Sequence, residues 1–401
     1  MTQRGNGVTA PQGFVAAAVH AGIKKNGVPD LALIASVHEG PIAGVFTRNR
    51  IAAAPVILDR AHLRQKIGRG ILINSGNANA CTGARGLADA RELATLVAGQ
   101  IGTAVQTIFV GSTGVIGQPL PMAGIRRAIP ELVKRLRRAG AQEAARAILT
   151  TDQKTKEIAL SARIAGRTVT VGGMAKGSGM IHPDMATLLA SLTTDAAIEQ
   201  RALQSAVRAA VTQSFNCISV DGDTSTNDTV LCLANALAGN ALVRMGSTAF
   251  GAFQRLLTQA CMSLAMQICR DGEGATKVAQ VVVTGARTDA DARQVARTIA
   301  TSSLVKTALF GEDANWGRIL AAVGRSGVPI HPNKICLAFE GIPIVKGGTG
   351  LGASVERRIA RIMRRKEFAF TVDLKQGSGT ARQWTTDLSY EYVRINASYR
   401  S

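Results

Sequence analysis

The alternation of apolar and polar positions changes period several times along this 401-residue chain. Leu31-Ala-Leu-Ile-Ala-Ser36 and Gly44-Val-Phe46 have strand character, and Gly70-Ile-Leu-Ile-Asn74 is another apolar run, leading into the small polar segment Asn74–Ala80. A helical pattern covers Ala88 to Ile101. The buried-strand run Thr107-Ile-Phe-Val110 then enters Gly111-Ser-Thr-Gly-Val-Ile-Gly117, where Gly-Ser-Thr-Gly predicts a sharp turn out of the strand. Residues 120–150 read as helical with an interruption at Pro130, whose missing N–H disfavours a helix interior. Ile158 and Leu160, then Val169 and Val171, form the arms of a hairpin turning at Gly166. Thr194-Asp195 offers capping oxygens for a helix whose apolar stripe is Leu203, Ala206, Val207, Ala210 and Val211. Strands return at Val278–Thr284 and at Phe368, Phe370, Val372 and Leu374, which alternate with period two. Mixed strand and helix patterns without an internal repeat predict an α/β fold. The length exceeds what one core serves, so two lobes are expected, with an active site between them.

Composition narrows this picture in three respects. Apolar residues at 46% and charged residues at 18% are globular values and exclude disordered or collagen-like classes. The six cysteines lack CxxC spacing, so reduced thiols fit better than a metal site or a disulfide framework. The N-terminus is polar and glycine-rich and no apolar stretch reaches transmembrane length, which predicts a cytoplasmic protein without membrane attachment. A formal charge of +20 raises nucleic-acid binding as a rival function. Much of the excess sits in Arg126–Arg146 and Glu356–Lys366, where apolar residues recur at helical spacing, and this predicts solvated faces of amphipathic helices. No nucleic-acid-binding motif or base-stacking aromatic accompanies them, so nucleic acid is not expected as a partner.

Chemistry concentrates in Gly172–Ala190. Four glycines between positions 172 and 179 let a backbone approach a ligand closely, and Lys176 among them offers an ammonium for a carboxylate or phosphate. Lys176 precedes Gly177, which breaks the order of a phosphate-binding P-loop. His182-Pro183-Asp184 introduces a turn before Met185-Ala186-Thr187, and the residues alone leave Thr187 either structural or catalytic. His182 reads as a turn residue close enough to influence that segment. Asp221–Asp228 is acidic enough to suggest a calcium loop, but Cys232 stands where the twelfth-position Glu belongs, so it reads as a structural turn.

The stretch from Ala175 to Ala197 resembles the ornithine acetyltransferase family of bifunctional glutamate N-acetyltransferases. So, in order, do Asn74–Ala80, Gly111–Gly117, Thr150-Thr-Asp152, Val220–Thr229, Asp271–Lys277, Gly311–Arg318 and Ile395–Ser401. The resemblance spans essentially the whole chain. It implies an N-terminal-nucleophile-like layered sandwich in which the chain cuts itself at Ala186–Thr187 into pieces of 186 and 215 residues, 1–186 and 187–401. The new α-amine, with a pKa of about 8, then serves as the base for the Thr187 hydroxyl. By the same resemblance Thr113 (side chain) and Gly114 (backbone N–H) receive the oxyanion, and Thr150, Lys176, Thr187, Glu273, Asn396 and Ser401 contact substrate. The family commonly ends in Thr; Ser401 keeps the hydroxyl and loses the methyl. The implied reaction moves acetyl from N2-acetylornithine to L-glutamate, with acetyl-CoA as a further donor in some members. It needs no metal or tightly bound cofactor, and the pieces associate as two of each. A hydrolase of related fold, with water as acceptor, is the rival among enzymes.

Overall fold

The computed structural model describes residues 2–3, 6–182 and 188–398. Among these residues the strands form two sheets, of nine and seven strands. The larger is organised by the strand Leu31–Phe46, sixteen residues long, whose apolar runs flank the exposed Val37, His38 and Glu39. Its register shifts between Ala35 and Gly40, so its two ends serve different halves of the sheet. The first end pairs with Phe14–Val19 and Ile67–Asn77, which in turn pairs in parallel with Ile108–Val115. The second end pairs with Thr229–Ala234, followed by Leu189–Thr194, Arg167–Lys176 and Lys156–Ile164.

Side-chain alternation then builds the layers. Ala32 and Ile34 join Ile71, Ile73 and Phe109 in a core shared with Met174, Leu189, Leu231 and Leu233 of the other half-sheet. Leu31 and Leu33, pointing the opposite way, pack with Leu93, Val97, Ile125 and Ile129 on the helices Gly83–Ile101 and Met122–Lys134. The outer face of the second half, including Val169, Val171 and Leu192, is covered by Gln200–Gln213 and Thr248–Arg270. The result is a helix–sheet–sheet–helix sandwich, an α/β layered architecture as the sequence patterns require.

The smaller sheet forms a second lobe around Val278–Ala286, with its own core against Asp289–Ala300, Trp316–Gly324 and Ala353–Met363. The short strand Ile218–Ser219, which leaves the first lobe, pairs with Gly379–Thr386 at the edge of this sheet. Lobes and chain halves do not coincide. Leu189–Thr194 and Thr229–Ala234 lie after position 187 yet fill the middle of the larger sheet, between strands from before position 183.

Three local expectations are corrected. The helix Met122–Lys134 runs through Pro130, because both Pro130 and Arg126, whose carbonyl loses a partner there, face solvent. Thr194-Asp195 does not open a helix, which starts at Gln200. Asp195 instead accepts the backbone N–H groups of Gln12 (3.1 Å) and Thr170 (2.8 Å), and Thr194 Oγ1 donates to Thr170 O, locking strand ends together. Gly111–Val115 continues the strand Ile108–Val115 rather than turning out of it, since Ser75 and Gly76 still pair with Thr113 and Gly114. The basic stretches behave as expected: Arg126, Arg127, Arg357, Arg358 and Arg361 are exposed, with Ile125, Ile129, Ile359 and Ile362 buried beneath. No helix among the described residues is long and apolar enough to cross a membrane.

Candidate active site

Sheet register sets the site. The parallel strands Ile67–Asn77 and Ile108–Val115 end side by side at Gly76 and Gly114, and Lys176 pairs with Leu189, at the end of Arg167–Lys176. These ends converge on a cavity of about 100 Å³, room for several water-sized groups. Thr113, Gly114, Thr150, Lys176, Glu273 and Asn396 all line it, together with Leu188. Ala186, Thr187 and Ser401 lie outside the described residues.

Lys176 is buried and donates to Thr150 Oγ1 at 2.8 Å and Thr113 Oγ1 at 3.2 Å. An ammonium only donates, so Thr113 Oγ1 accepts from it and keeps its own hydroxyl proton for another partner. Burial lowers the Lys176 pKa, and the carboxylate of Asp152, 3.8 Å away, opposes that drop. Gly114 has φ +130, and a Cβ there would lie 2.3 Å from the Gly76 carbonyl carbon. Only glycine allows this backbone to pass so close to its neighbouring strand. Gly114→Ala is therefore expected to lower kcat by about 10²-fold or more through displacement of this N–H. An unchanged kcat at saturating substrate would remove Gly114 from the site.

Glu273 is 8% exposed and accepts from Asn396 Nδ2 at 2.8 Å, which ties the C-terminal helix Tyr390–Ser398 to the cavity. Its backbone N–H donates to Ser178 O at 2.9 Å, and a Cβ on Gly179 would meet the Glu273 carboxylate at 2.3 Å. The glycine-rich run thus lets the Glu273 carboxylate lie directly against its backbone.

Several supporting residues were not singled out from sequence. Lys156, 1% exposed, bridges Asp152 and Asp271 at 2.6 Å each. Asp271 also accepts the backbone N–H groups of Gln153 (3.1 Å) and Lys154 (3.2 Å). This ion triad joins the Thr150–Asp152 turn to the loop bearing Glu273. Burial pushes the Asp152 carboxyl up, but Lys176, Lys156 and the Gly177 N–H outweigh it and hold it at about 2. Asn227 donates to Ala78 O (2.6 Å) and Ser112 O (2.8 Å), fixing the strand that carries Thr113. The adjacent Asp228 also lines the cavity, and burial raises its pKa well above the carboxylate range. The one local signal for Lys156 was its i,i+4 spacing from Asp152; Asn227 and Asp228 fell inside the Val220–Thr229 motif, which read as a structural turn. His182, placed in a turn by its sequence, has a defined setting: its Nε2 accepts from Arg297 Nε at 2.8 Å, and Nδ1 faces Ser219 Oγ at 3.3 Å.

A family model described as the ArgJ family matches residues 15–401. This chain belongs to the ArgJ family. Among its relatives is an arginine biosynthesis bifunctional protein of Geobacter sulfurreducens. It is 50% identical over 97% of this chain and 99% of its own length. One of the same name from Symbiobacterium thermophilum is 50% identical over 98% of each chain. A solved ArgJ structure, from Bacillus halodurans, is 44% identical over 52% of this chain and 97% of its own, with a TM-score of 0.49. The family expected from the sequence motifs is the family found, and the match runs through every segment that contributes to the cavity.

Proposed function

We propose that this chain is a self-cleaving acetyltransferase of arginine biosynthesis, moving acetyl from N2-acetylornithine to L-glutamate through an acetyl-Thr187 intermediate. One observation carries the reading. In a chain half identical to arginine biosynthesis bifunctional proteins, Thr113, Gly114, Thr150, Lys176, Glu273 and Asn396 line a single cavity, and Leu188, next in sequence to Thr187, lines it too.

The chemistry follows from those groups. Cleavage at Ala186–Thr187 frees an α-amine that takes the proton as Thr187 Oγ attacks the acetyl carbonyl. The developing oxyanion meets the Thr113 hydroxyl, whose proton Lys176 leaves available, and the Gly114 N–H. Collapse breaks the amide C–N bond, the proton passes to the departing ornithine nitrogen, and acetyl remains on Oγ as an ester. The neutral amine of glutamate then attacks this ester and reverses the steps. Lys176 spends two of its three N–H groups on Thr113 and Thr150, leaving one for a substrate carboxylate. Glu273 supplies the opposite charge for an ammonium, held in place by Asn396. In this reading no metal or tightly bound cofactor takes part, and the enzyme works in the cytoplasm as two copies of each piece.

The test is to supply acetylornithine with and without glutamate. Ornithine release that requires glutamate, with ping-pong kinetics, is the expected result. Equal release into water alone would make the chain a hydrolase instead.

A further inference from the structure

The acidic loop between the strands Ile218–Ser219 and Thr229–Ala234 reads as a plain turn in the sequence, yet it grips both flanks of one short segment. On the upstream side the Asp221 carboxylate accepts the backbone N–H groups of Met180 (2.5 Å) and Ile181 (2.9 Å). Val220 N donates to Ile181 O at 2.8 Å, and Ser219 Oγ donates to the same oxygen at 3.2 Å. On the downstream side Thr229 N donates to Leu188 O at 2.9 Å, and the Asp228 carboxyl accepts the Leu188 N–H. Residues on both sides of the Ala186–Thr187 bond are therefore anchored to the two ends of one loop.

We propose that Asp221 is a positioning residue for self-cleavage, acting by its hold on Met180–Ile181 upstream of the Ala186–Thr187 bond. This rests on the cleavage reading given above. In that step Thr187 Oγ bonds to the Ala186 carbonyl carbon, the Ala186–Thr187 C–N bond breaks, and the hydroxyl proton ends on the Thr187 nitrogen. Water then adds to the resulting ester, releasing Ala186 as a carboxylic acid and restoring the hydroxyl. Asp221 acts through Met180 and Ile181. Its contribution is orientation: an intramolecular attack gains its rate from fixed geometry, and an unpinned flank spends its time in unreactive arrangements.

The choice of a carboxylate matters for the grip. Met180 N–H binds one carboxylate oxygen and Ile181 N–H the other, and an amide in its place would turn its N–H₂ towards one of these donors. Other charges face Asp221. Asp223 stands on its own loop, Tyr392 bonds it from the C-terminal helix with Glu273 close by, and Lys306 acts on it from the second lobe. Burial pushes the Asp221 carboxyl up to about 6, although the N–H groups of Asp223, Met180 and Ile181 favour its charged form. The grip is thus complete above that pH and weakens below it.

The experiment follows the intact precursor made by brief cell-free synthesis, diluted into buffers on either side of pH 6 and sampled by denaturing mass spectrometry. Wild-type precursor is expected to cleave at neutral pH and to slow as the pH falls through about 6. Asp221→Asn is expected to cleave about tenfold or more slowly at neutral pH, with that acid limb lost, while still melting cooperatively. Where the variant does not fold, the wild-type acid limb remains as the check, and its absence overturns the proposal. A variant that cleaves like wild type at every pH also overturns the role of Asp221 and leaves the cleavage reading intact. A wild-type chain that never cleaves removes both.

Discussion

Thr187→Ala is expected to leave the 401-residue chain in one piece and to lower acetyl transfer by about 10⁴-fold or more. A hydroxyl that is both the attacking group in cleavage and the acetyl carrier in turnover has no substitute among the cavity's other groups. The cavity-lining hydroxyls of Thr113 and Thr150 both accept from Lys176. Neither has Lys176 as a base, because its nitrogen serves both as a hydrogen-bond donor. The measurement is intact mass under denaturing conditions, paired with ornithine release. Two pieces from the wild type, the second beginning at Thr187, with one uncut chain from the variant, is the expected pattern. An uncut wild type that still transfers acetyl would separate the activity from N-terminal nucleophile chemistry and require another carrier.

Asp152→Ala is expected to cost about 3 kcal/mol of stability, the lower part of the range for removing one partner of a buried ion pair. Asp152 has no exposed side-chain surface and serves both Lys156 and Lys176. Lys156 keeps Asp271 at 2.6 Å after the change, but Lys176 is left buried without its counter-charge. The sign with pH is also fixed. The folded Asp152 carboxyl sits at about 2, below its unfolded value of about 4. Its contribution is therefore present above the unfolded value and is lost as pH falls through the folded one. Urea unfolding should show the full wild-type advantage at neutral pH and a shrinking gap towards pH 2. A gap that stays constant across that range would mean Asp152 is not charged in the fold. The same substitution is expected to raise KM, since it loosens the Thr150 turn from the loop that carries Glu273.

The layers and the chemistry were legible in different degrees. Leu31, Ala32, Leu33 and Ile34 announce a strand, and Phe368, Phe370 and Val372 another, because period-two burial is local and needs no knowledge of the partner. Motif strings such as Gly111–Gly117 and Asp271–Lys277 carried the family. Polar residues were harder, because a hydroxyl or carboxylate can bond locally or across the fold with equal ease. Thr194-Asp195 looks like a helix cap and spends its oxygens on Gln12 and Thr170, the first of them 183 residues away. Pro130 looks like a helix break, and its exposed face removes the penalty.

By itself the sequence determined the α/β class, the family, the solvated arginine faces and six of the residues that line the cavity. Each of these is either a local periodicity or a string of residue types. Only the tertiary structure decided that the strands following position 187 lie inside the sheet built by those before it. It alone brought Lys156 between Asp152 and Asp271, and set the Asp221–Asp228 loop against both Ile181 and Leu188. These depend on register between strands far apart in the chain, and on burial that forces each charge to find a partner. Neither is written in the spacing of residues along the chain.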